Sequence, residues 1–185
     1  MLSQPLLPEF GQILLGILVV VAAVYDIRFR RIPNWLVLAG IVTGIAWNVY
    51  SSGLTGLGRG AAGLGLGFIL YFPLWLVRAR GAGDVKLLAA VGAITGPGNC
   101  FWIFLLTAIL GGIIALILLM FHGRVRKTFF NVAWIMRDLV HFRAPYQSSG
   151  ELDVTTTKGM RLPHAAMIAV GAIAFMYMVH SGYRV

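Results

Sequence analysis

Two aspartates stand out because they are the acidic residues that directly adjoin long apolar segments. The chain has 185 residues and only six acidic ones, among them Asp26 and Asp84. Two carboxyls that meet in a poorly hydrated site cannot both ionise at low cost, so they share a proton. The ionised carboxyl can then deprotonate water while the protonated one polarises a peptide carbonyl. Such a pair would have the chemistry of an aspartic protease, and its titration would belong to both residues.

Each aspartate also has a purely structural interpretation. Asp26 could form an ion pair with Arg28 or Arg30 at the end of a helix. Asp84 could be a helix N-cap, because aspartate accepts backbone N–H bonds and suits the positive end of the helix dipole. The segment Gly81-Ala82-Gly83-Asp84 favours a functional role, since two glycines permit bent backbone and close approach of another segment. Ionisable groups at membrane depth are functional candidates by default.

The composition is typical of a membrane protein. The chain is 59% hydrophobic and 11% charged, whereas soluble domains are about 45–50% apolar and about 25% charged. A disordered chain, a fibrous repeat and an ordinary soluble enzyme are thereby excluded. We attribute the net charge of +9 to cytoplasmic loops and expect no nucleic-acid partner.

Cysteine and histidine usage gives no sign of a metal site. The single cysteine, Cys100, excludes an intramolecular disulfide and a cysteine-built zinc site. The four histidines have no metal-ligand spacing along the sequence. We therefore expect neither a metal nor a cofactor, and we interpret Cys100 as a buried or interfacial small apolar residue.

Hydropathy predicts an all-α integral membrane protein with six transmembrane helices. A span needs about 20 mostly apolar residues, and the segment 85–97 is short. We count it as a span because otherwise the most basic loop would lie outside. The first segment is followed by charged residues and is expected to be retained, not cleaved as a signal peptide. The predicted spans are residues 11–25, 34–50, 60–77, 85–97, 101–121 and 162–180.

Basic residues predict the orientation of these spans. Of the 15 Lys and Arg residues, all but Arg59 and Arg184 fall on one side, in three loops or, for Lys86, just inside the fourth span. The positive-inside rule therefore puts both termini outside and the basic loops in the cytoplasm. Two crossings separate Asp26 from Asp84, so parity alone brings both carboxyls to the cytoplasmic face.

The longest of these loops, residues 122–161, contains an amphipathic stretch. Apolar residues recur at near-helical spacing in Phe129–Phe142, and basic groups flank the stretch. This pattern predicts an interfacial cytoplasmic helix lying on anionic lipid. The functional alternative is a docking surface for the charged segment of a substrate.

Glycines recur at four-residue spacing in and before the third span. Gly56 with Gly60, and Gly63 with Gly67, have the small-xxx-small spacing that lets helix backbones approach closely. We expect them to pack helices within one molecule, and not to form a dimer interface. Nothing in the sequence determines the oligomeric state.

Three sequence blocks resemble the type IV prepilin peptidases, a family of GxGD-type membrane aspartic proteases. The first is Asp26 followed by Ile32-Pro33-Asn34, which matches the family's Asp and Ile-Pro-Asn. The second, Gly81–Ala90 (GAGDVKLLAA), closely matches GxGDxKLLAA. The third and loosest is Leu162-Pro163-His164-Ala165-Ala166, similar to the final-helix motif around a proline. The resemblance covers nearly the whole chain, which is expected to be one peptidase domain, residues 1–185.

The resemblance implies an activity, a partner and a set of site residues. Asp26 and Asp84 would be the catalytic pair. They would cut a prepilin leader after a glycine, at the cytoplasmic edge of the substrate's hydrophobic helix, in the bacterial inner membrane. Supporting roles would fall to Gly81, Gly83, Lys86, Pro33, Asn34 and Pro163. Lys86 would either bias the ionisation of Asp84 or meet a lipid phosphate.

The sequence departs from the bifunctional members of that family. Those members carry a cytoplasmic insert with paired cysteines and also methylate the new N-terminus. Here the first cytoplasmic loop has only a few residues and there is no cysteine pair. The short form resembles the peptidases of tight-adherence (Flp-type) pilus systems, so we expect no methyltransferase activity.

Two alternatives share the same aspartates. Tyr25-Asp26 and Gly81-Ala82-Gly83-Asp84 look like the YD and GxGD signatures of presenilin-type intramembrane proteases, but Ile32-Pro33-Asn34 favours the prepilin assignment. A proton-coupled transporter could use the pair as a relay. It would need polar groups at the bilayer midplane and often has an internal repeat. The sequence has neither feature.

Overall fold

The chain forms a bundle of long helices. The computed structural model describes residues 7–76, 81–121 and 163–181. Within these ranges the chain forms α1 (Glu9–Phe29), α2 (Asn34–Leu76), α3 (Ala82–Phe121) and α4 (His164–His180), with no strand. α1, α2 and residues Ala82–Leu118 of α3 are each long and apolar enough to cross a membrane. The predicted loop 122–161, with its interfacial helix, lies outside the described residues.

Glycines with positive φ reverse the chain inside α2 and α3. Gly53 (φ 58°, ψ −136°) and Gly96 (φ 77°, ψ 172°) are non-helical, a conformation that glycine adopts without a steric cost. A Cβ on Gly56 would collide with the carbonyl of Asn48, although eight residues of straight helix span about 12 Å. Each of these helices is therefore a hairpin of two helical stretches, residues 34–52 and 54–76 in α2, and residues 82–95 and 97–121 in α3.

Cys100, the only cysteine in the sequence, contacts the other half of the second hairpin. The Sγ of Cys100 lies 4.0 Å from the carbonyl oxygen of Leu88, twelve residues earlier. The Cys100 side chain is fully buried, which confirms its prediction as a small apolar residue. Pro97, directly after Gly96, favours this reversal because its ring cannot continue the preceding helix.

Residues 82–95 of α3, here called the central helix, are enclosed by both halves of α2. Every residue from Leu87 to Gly96 is buried. The central helix runs parallel to residues 34–52, where the Asn48 side-chain amide donates to the carbonyls of Ala93 (3.0 Å) and Ile94 (3.2 Å). It runs antiparallel to residues 54–76, which approach through their glycines. Burial on several sides explains why residues 87–94 of this helix are all apolar.

The four-residue glycine pattern packs helices within the molecule, as predicted. A Cβ on Gly63 would collide with the carbonyl of Gly92, and one on Gly67 with the carbonyl of Leu88. A Cβ on Gly60 would lie 3.3 Å from the carbonyl oxygen of Ala93, a tight contact without a collision. Without side chains, the two backbones come closer together than any other residue would allow. Gly65, by contrast, has nothing within 4 Å of a built Cβ.

α4 closes the bundle against α1 and the second half of α3. Gly171 lies on Thr107, and Met167 lies near Gly111, so α4 is antiparallel to residues 97–121. The start of α4 meets the last turn of α1. The end of the bundle that holds the last turn of α1 and the first turns of α2, α3 and α4 is called the aspartate end below.

Gly63→Ala should destabilise the protein. The added methyl would force apart the backbones of residues 54–76 and of the central helix, and overpacking of this kind costs about 1–3 kcal/mol. The matched control is Gly65→Ala, which has room for the methyl and should stabilise its helix by about 0.5–1 kcal/mol. Thermal unfolding in detergent micelles measures both. A Gly63→Ala protein as stable as the Gly65→Ala protein would contradict this packing.

Candidate active site

Asp26 lies in the last turn of α1, and its backbone is part of the helical hydrogen-bond pattern. The helix continues to Phe29 and ends at Arg30, which adopts a left-handed conformation (φ 52°, ψ 32°) and donates its N–H to the Asp26 carbonyl at 2.8 Å. The half-buried Asp26 carboxylate accepts the backbone N–H of Ala165 at 2.9 Å through Oδ2. In the described part of the chain it forms no ion pair with Arg28 or Arg30, so that structural interpretation of Asp26 is wrong.

The partner of Asp26 is an amide at the open N-terminus of α4. Pro163 occupies the N-cap position, and no side-chain hydrogen bond caps the helix from there. The first N–H groups of a helix have no partner within it. The Asp26 carboxylate supplies an acceptor from another helix, 139 residues away in sequence. The positive end of the α4 dipole also favours a carboxylate at this position.

Asp84 lies in the first turn of the central helix and is half-buried. The helix begins at Ala82, and the Asp84 N–H donates to the Gly81 carbonyl at 3.1 Å. Asp84 is therefore an interior residue of the first turn, and its interpretation as the N-cap is wrong. Its carboxylate still lies at the positive end of a helix dipole, as the Asp26 carboxylate does.

A Cβ on either glycine before Asp84 would make only ordinary van der Waals contact, and the bent backbone lies elsewhere. A Cβ on Gly83 would be 3.4 Å from the side chain of Ile32, in the first motif. A Cβ on Gly81 would be 3.6 Å from Oδ2 of Asp84. Neither glycine has a positive φ, and the described glycines that do are Gly53 and Gly96, at the opposite end of the bundle.

A side-chain hydrogen bond joins the first two motifs. Pro33 directly precedes α2, and its carbonyl accepts the N–H of Val37 at 3.4 Å. Asn34, the first residue of α2, accepts a hydrogen bond from the exposed Lys86 ammonium at 3.2 Å. The observed partner of Lys86 is thus Asn34, which the sequence alone did not suggest.

Tyr71 and His164 form a contact that sequence reasoning missed. The Tyr71 hydroxyl and His164 Nε2 are 2.9 Å apart, and Tyr71 is 3% exposed. Both residues line a cavity of about 210 Å³ together with Phe104, Thr107, Gly111 and Met167. The sequence predicts no partner for His164, although it places this residue in the third motif. The available signal was a tyrosine within an otherwise apolar span and a histidine in the third motif.

All three motifs thus converge on the aspartate end. Asp26 contacts the third motif through Ala165, and the second motif contacts the first through Gly83 and Lys86. Two carboxyls at helix N-termini can accept and donate protons, which suits them to general acid–base chemistry. Among the described residues, no three His, Cys, Asp or Glu side chains cluster as a metal site would require.

These features define a helical membrane protein with acid–base side chains gathered at one end of its bundle. Residues 13–116, more than half of the chain, match the family model described as the type IV leader peptidase family. The chain belongs to this family, as its three motifs indicated. Asp26 and Asp84 lie within the matched residues, while Pro163 lies beyond them.

One curated relative carries a more specific name. The chain is 29% identical over 129 residues to a prepilin leader peptidase/N-methyltransferase from Xanthomonas campestris pv. campestris. The alignment covers 64% of this chain and 44% of the relative, so the chain matches less than half of the relative's length. No solved structure matches the chain.

Asp26→Ala and Asp26→Asn should differ in stability. Alanine removes the acceptor of the Ala165 N–H, and loss of a cap of this kind costs about 1–2 kcal/mol. Asparagine keeps a side-chain oxygen at the same position and should remain within about 0.5 kcal/mol of wild type. Thermal unfolding in one detergent gives the comparison. Equal melting temperatures for the alanine and asparagine proteins would show that the hydrogen bond to α4 contributes nothing.

Proposed function

We propose that this protein is a membrane-embedded aspartic endopeptidase that removes the leader peptides of type IV prepilins. Asp26 and Asp84 are its catalytic pair. The observation that carries the proposal is the hydrogen bond from Ala165 N–H to Asp26 Oδ2 at 2.9 Å, which joins the first and third motifs. Membership of the type IV leader peptidase family and the name of the relative support this activity.

The proposed reaction is hydrolysis of one peptide bond by water. The ionised member of the pair takes a proton from water, and the resulting hydroxide adds to the carbonyl carbon of the scissile bond. The protonated member donates to the carbonyl oxygen, where negative charge develops. Transfer of a proton to the amide nitrogen then breaks the carbon–nitrogen bond, giving a leader with a new carboxyl and a pilin with a new amine.

The supporting residues would shape the approach of the two carboxyls. Gly83 lies beside Ile32 in the turn before Asp84, and Gly81 lies beside the Asp84 carboxylate. Lys86 and Asn34 hold the starts of α2 and α3 together by their hydrogen bond. Pro163, at the N-cap of α4, makes no side-chain hydrogen bond to the helix and so leaves its first amides available to Asp26.

We further propose that six spans put the aspartate end at the cytoplasmic face of the bacterial inner membrane, with both termini outside. The hairpins at Gly53 and Gly96 divide the described residues into six helical stretches. α1, with 21 residues, is about 31 Å long, close to the hydrocarbon thickness of about 30 Å. Basic residues at the aspartate end agree with the positive-inside rule.

Aromatic side chains at both ends of the bundle agree with this placement. Tyr25 and Trp35 are in edge-on contact at the aspartate end, with ring centroids 6.1 Å apart. Phe10 and Trp47 are 4.5 Å apart at the other end. Tryptophan and tyrosine are enriched where helices leave the hydrocarbon core.

The proposed substrates are Flp-type prepilins, because the chain has the short first loop of the tight-adherence peptidases. We do not propose methyltransferase activity, because the sequence has no paired cysteines of the kind that the bifunctional members carry. Anionic lipid would be a further partner, attracted by the basic residues at the aspartate end.

Asp26→Asn and Asp84→Asn should each lower prepilin cleavage at least roughly a hundredfold, because each variant lacks a group that moves a proton. The chain is co-expressed with a Flp-type prepilin, and leader removal is followed by gel shift and N-terminal sequencing. Cleavage is normalised to the amount of folded enzyme in the membrane.

The matched control is Glu9→Gln, which neutralises an acidic residue at the other end of α1 and should cleave like wild type. Cleavage by either aspartate variant at the wild-type rate would contradict the catalytic pair. A folded wild-type protein that cleaves no prepilin would contradict the substrate.

A further inference from the structure

The first turn of α4 is held by two side chains from other helices. Asp26, from α1, accepts the N–H of Ala165, and Tyr71, from α2, bonds to His164 at 2.9 Å. His164 and Ala165 are the first two residues of α4. A displacement of His164 would therefore also move the Ala165 amide, which donates its hydrogen bond to the Asp26 carboxylate.

Tyr71 stands on a rigid part of the bundle. It lies one turn after Gly67, whose backbone is packed against the carbonyl of Leu88 in the central helix. Its ring also contacts Phe104 edge-on, with centroids 5.6 Å apart. Tyr71 is 3% exposed, so its hydroxyl has a fixed position from which to hold His164.

The first turn of α4 is positioned by contacts with other helices and not by a cap of its own. Pro163 gives it no side-chain cap. Ala165, its second residue, is fully buried. The placement of Ala165 against Asp26 therefore depends on contacts between helices.

We propose that Tyr71 and His164 are a positioning pair for the catalytic reaction. Their hydrogen bond fixes the first turn of α4 on α2, so that the Ala165 N–H orients the Asp26 carboxylate toward the reacting water. This inference rests on the proposed function, because it assigns the pair a role in the same catalytic centre. Neither residue exchanges a proton with the substrate.

The rival explanation is direct contact with the substrate, since both residues line the cavity beside the site. The two roles differ in kinetics. Misplacing a catalytic carboxylate lowers kcat, whereas removing a contact made equally with substrate and transition state raises KM. A purely structural role would alter only the melting temperature and the amount of folded protein.

The test compares Tyr71→Phe, His164→Phe and the double variant with wild type in prepilin cleavage per folded enzyme. We expect each single variant to lower kcat about three- to tenfold, the effect of one hydrogen bond, with KM unchanged. The double variant should be no slower than the slower single variant, because both substitutions break the same bond. Tyr177→Phe is the matched control on α4, since Tyr177 is 72% exposed, and should match wild type.

The other outcomes would overturn the inference. A raised KM at constant kcat would assign the pair to substrate contact. Unchanged kcat per folded enzyme would leave only a structural role, and multiplied losses in the double variant would show that the two residues act separately. Asp26→Asn is run in parallel: if it is inactive while Tyr71→Phe is fully active, this inference alone fails. If Asp26→Asn is fully active, the proposed function fails and the inference with it.

Discussion

The structure depends on close backbone contact between the central helix and the second half of α2. At Gly63 and Gly92, neither backbone leaves room for a Cβ on the other. Helices in lipid gain little from apolar burial against one another, so close packing and hydrogen bonds must hold them together. The glycines supply the packing here. Beside these glycines, Asn48 adds hydrogen bonds to the carbonyls of Ala93 and Ile94.

The geometry of the aspartate end follows from this core. Because the central helix is enclosed, its first turn has a fixed position, and Asp84 is carried with it. The hairpins at Gly53 and Gly96 bring the start of α3 back to the end where α1 finishes. α4 then completes the site by offering its uncapped amides to Asp26. Each carboxylate therefore lies at a helix N-terminus. Asp84 lies at the N-terminus of its own helix, and Asp26 lies at the N-terminus of α4.

Features that depend on local composition could be predicted from the sequence. Apolar runs identified the helices, the four-residue glycine spacing identified a close helix contact, and the motifs identified the family. The sequence predicts that the third span begins at residue 60, but its helix already begins at residue 54. The chain reverses at Gly53 alone, without a long polar loop between the two helices. The cap interpretation of Asp84 failed for a similar reason, since the helix starts two residues earlier.

Features that depend on distant segments could not be predicted. The partner of Asp26 is a backbone N–H in α4, which no side-chain pattern reveals. The Tyr71–His164 bond joins residues 93 positions apart, and in sequence Tyr71 resembles any interfacial tyrosine. From the sequence, Lys86 could have met Asp84 or lipid, and only the parallel packing of residues 34–52 against the central helix brings it to Asn34.

The most direct test of the central claim is whether positions 26 and 84 lie within reach of one another. Both aspartates are replaced by cysteine in a Cys100→Ala background and treated in membranes with a short bifunctional thiol reagent. Intact mass then distinguishes one bridge from two separate adducts. We predict one bridge for positions 26 and 84, and two adducts for the control pair of positions 26 and 98, at opposite ends of the bundle. Two separate adducts at positions 26 and 84, with both thiols reactive, would contradict a shared catalytic centre.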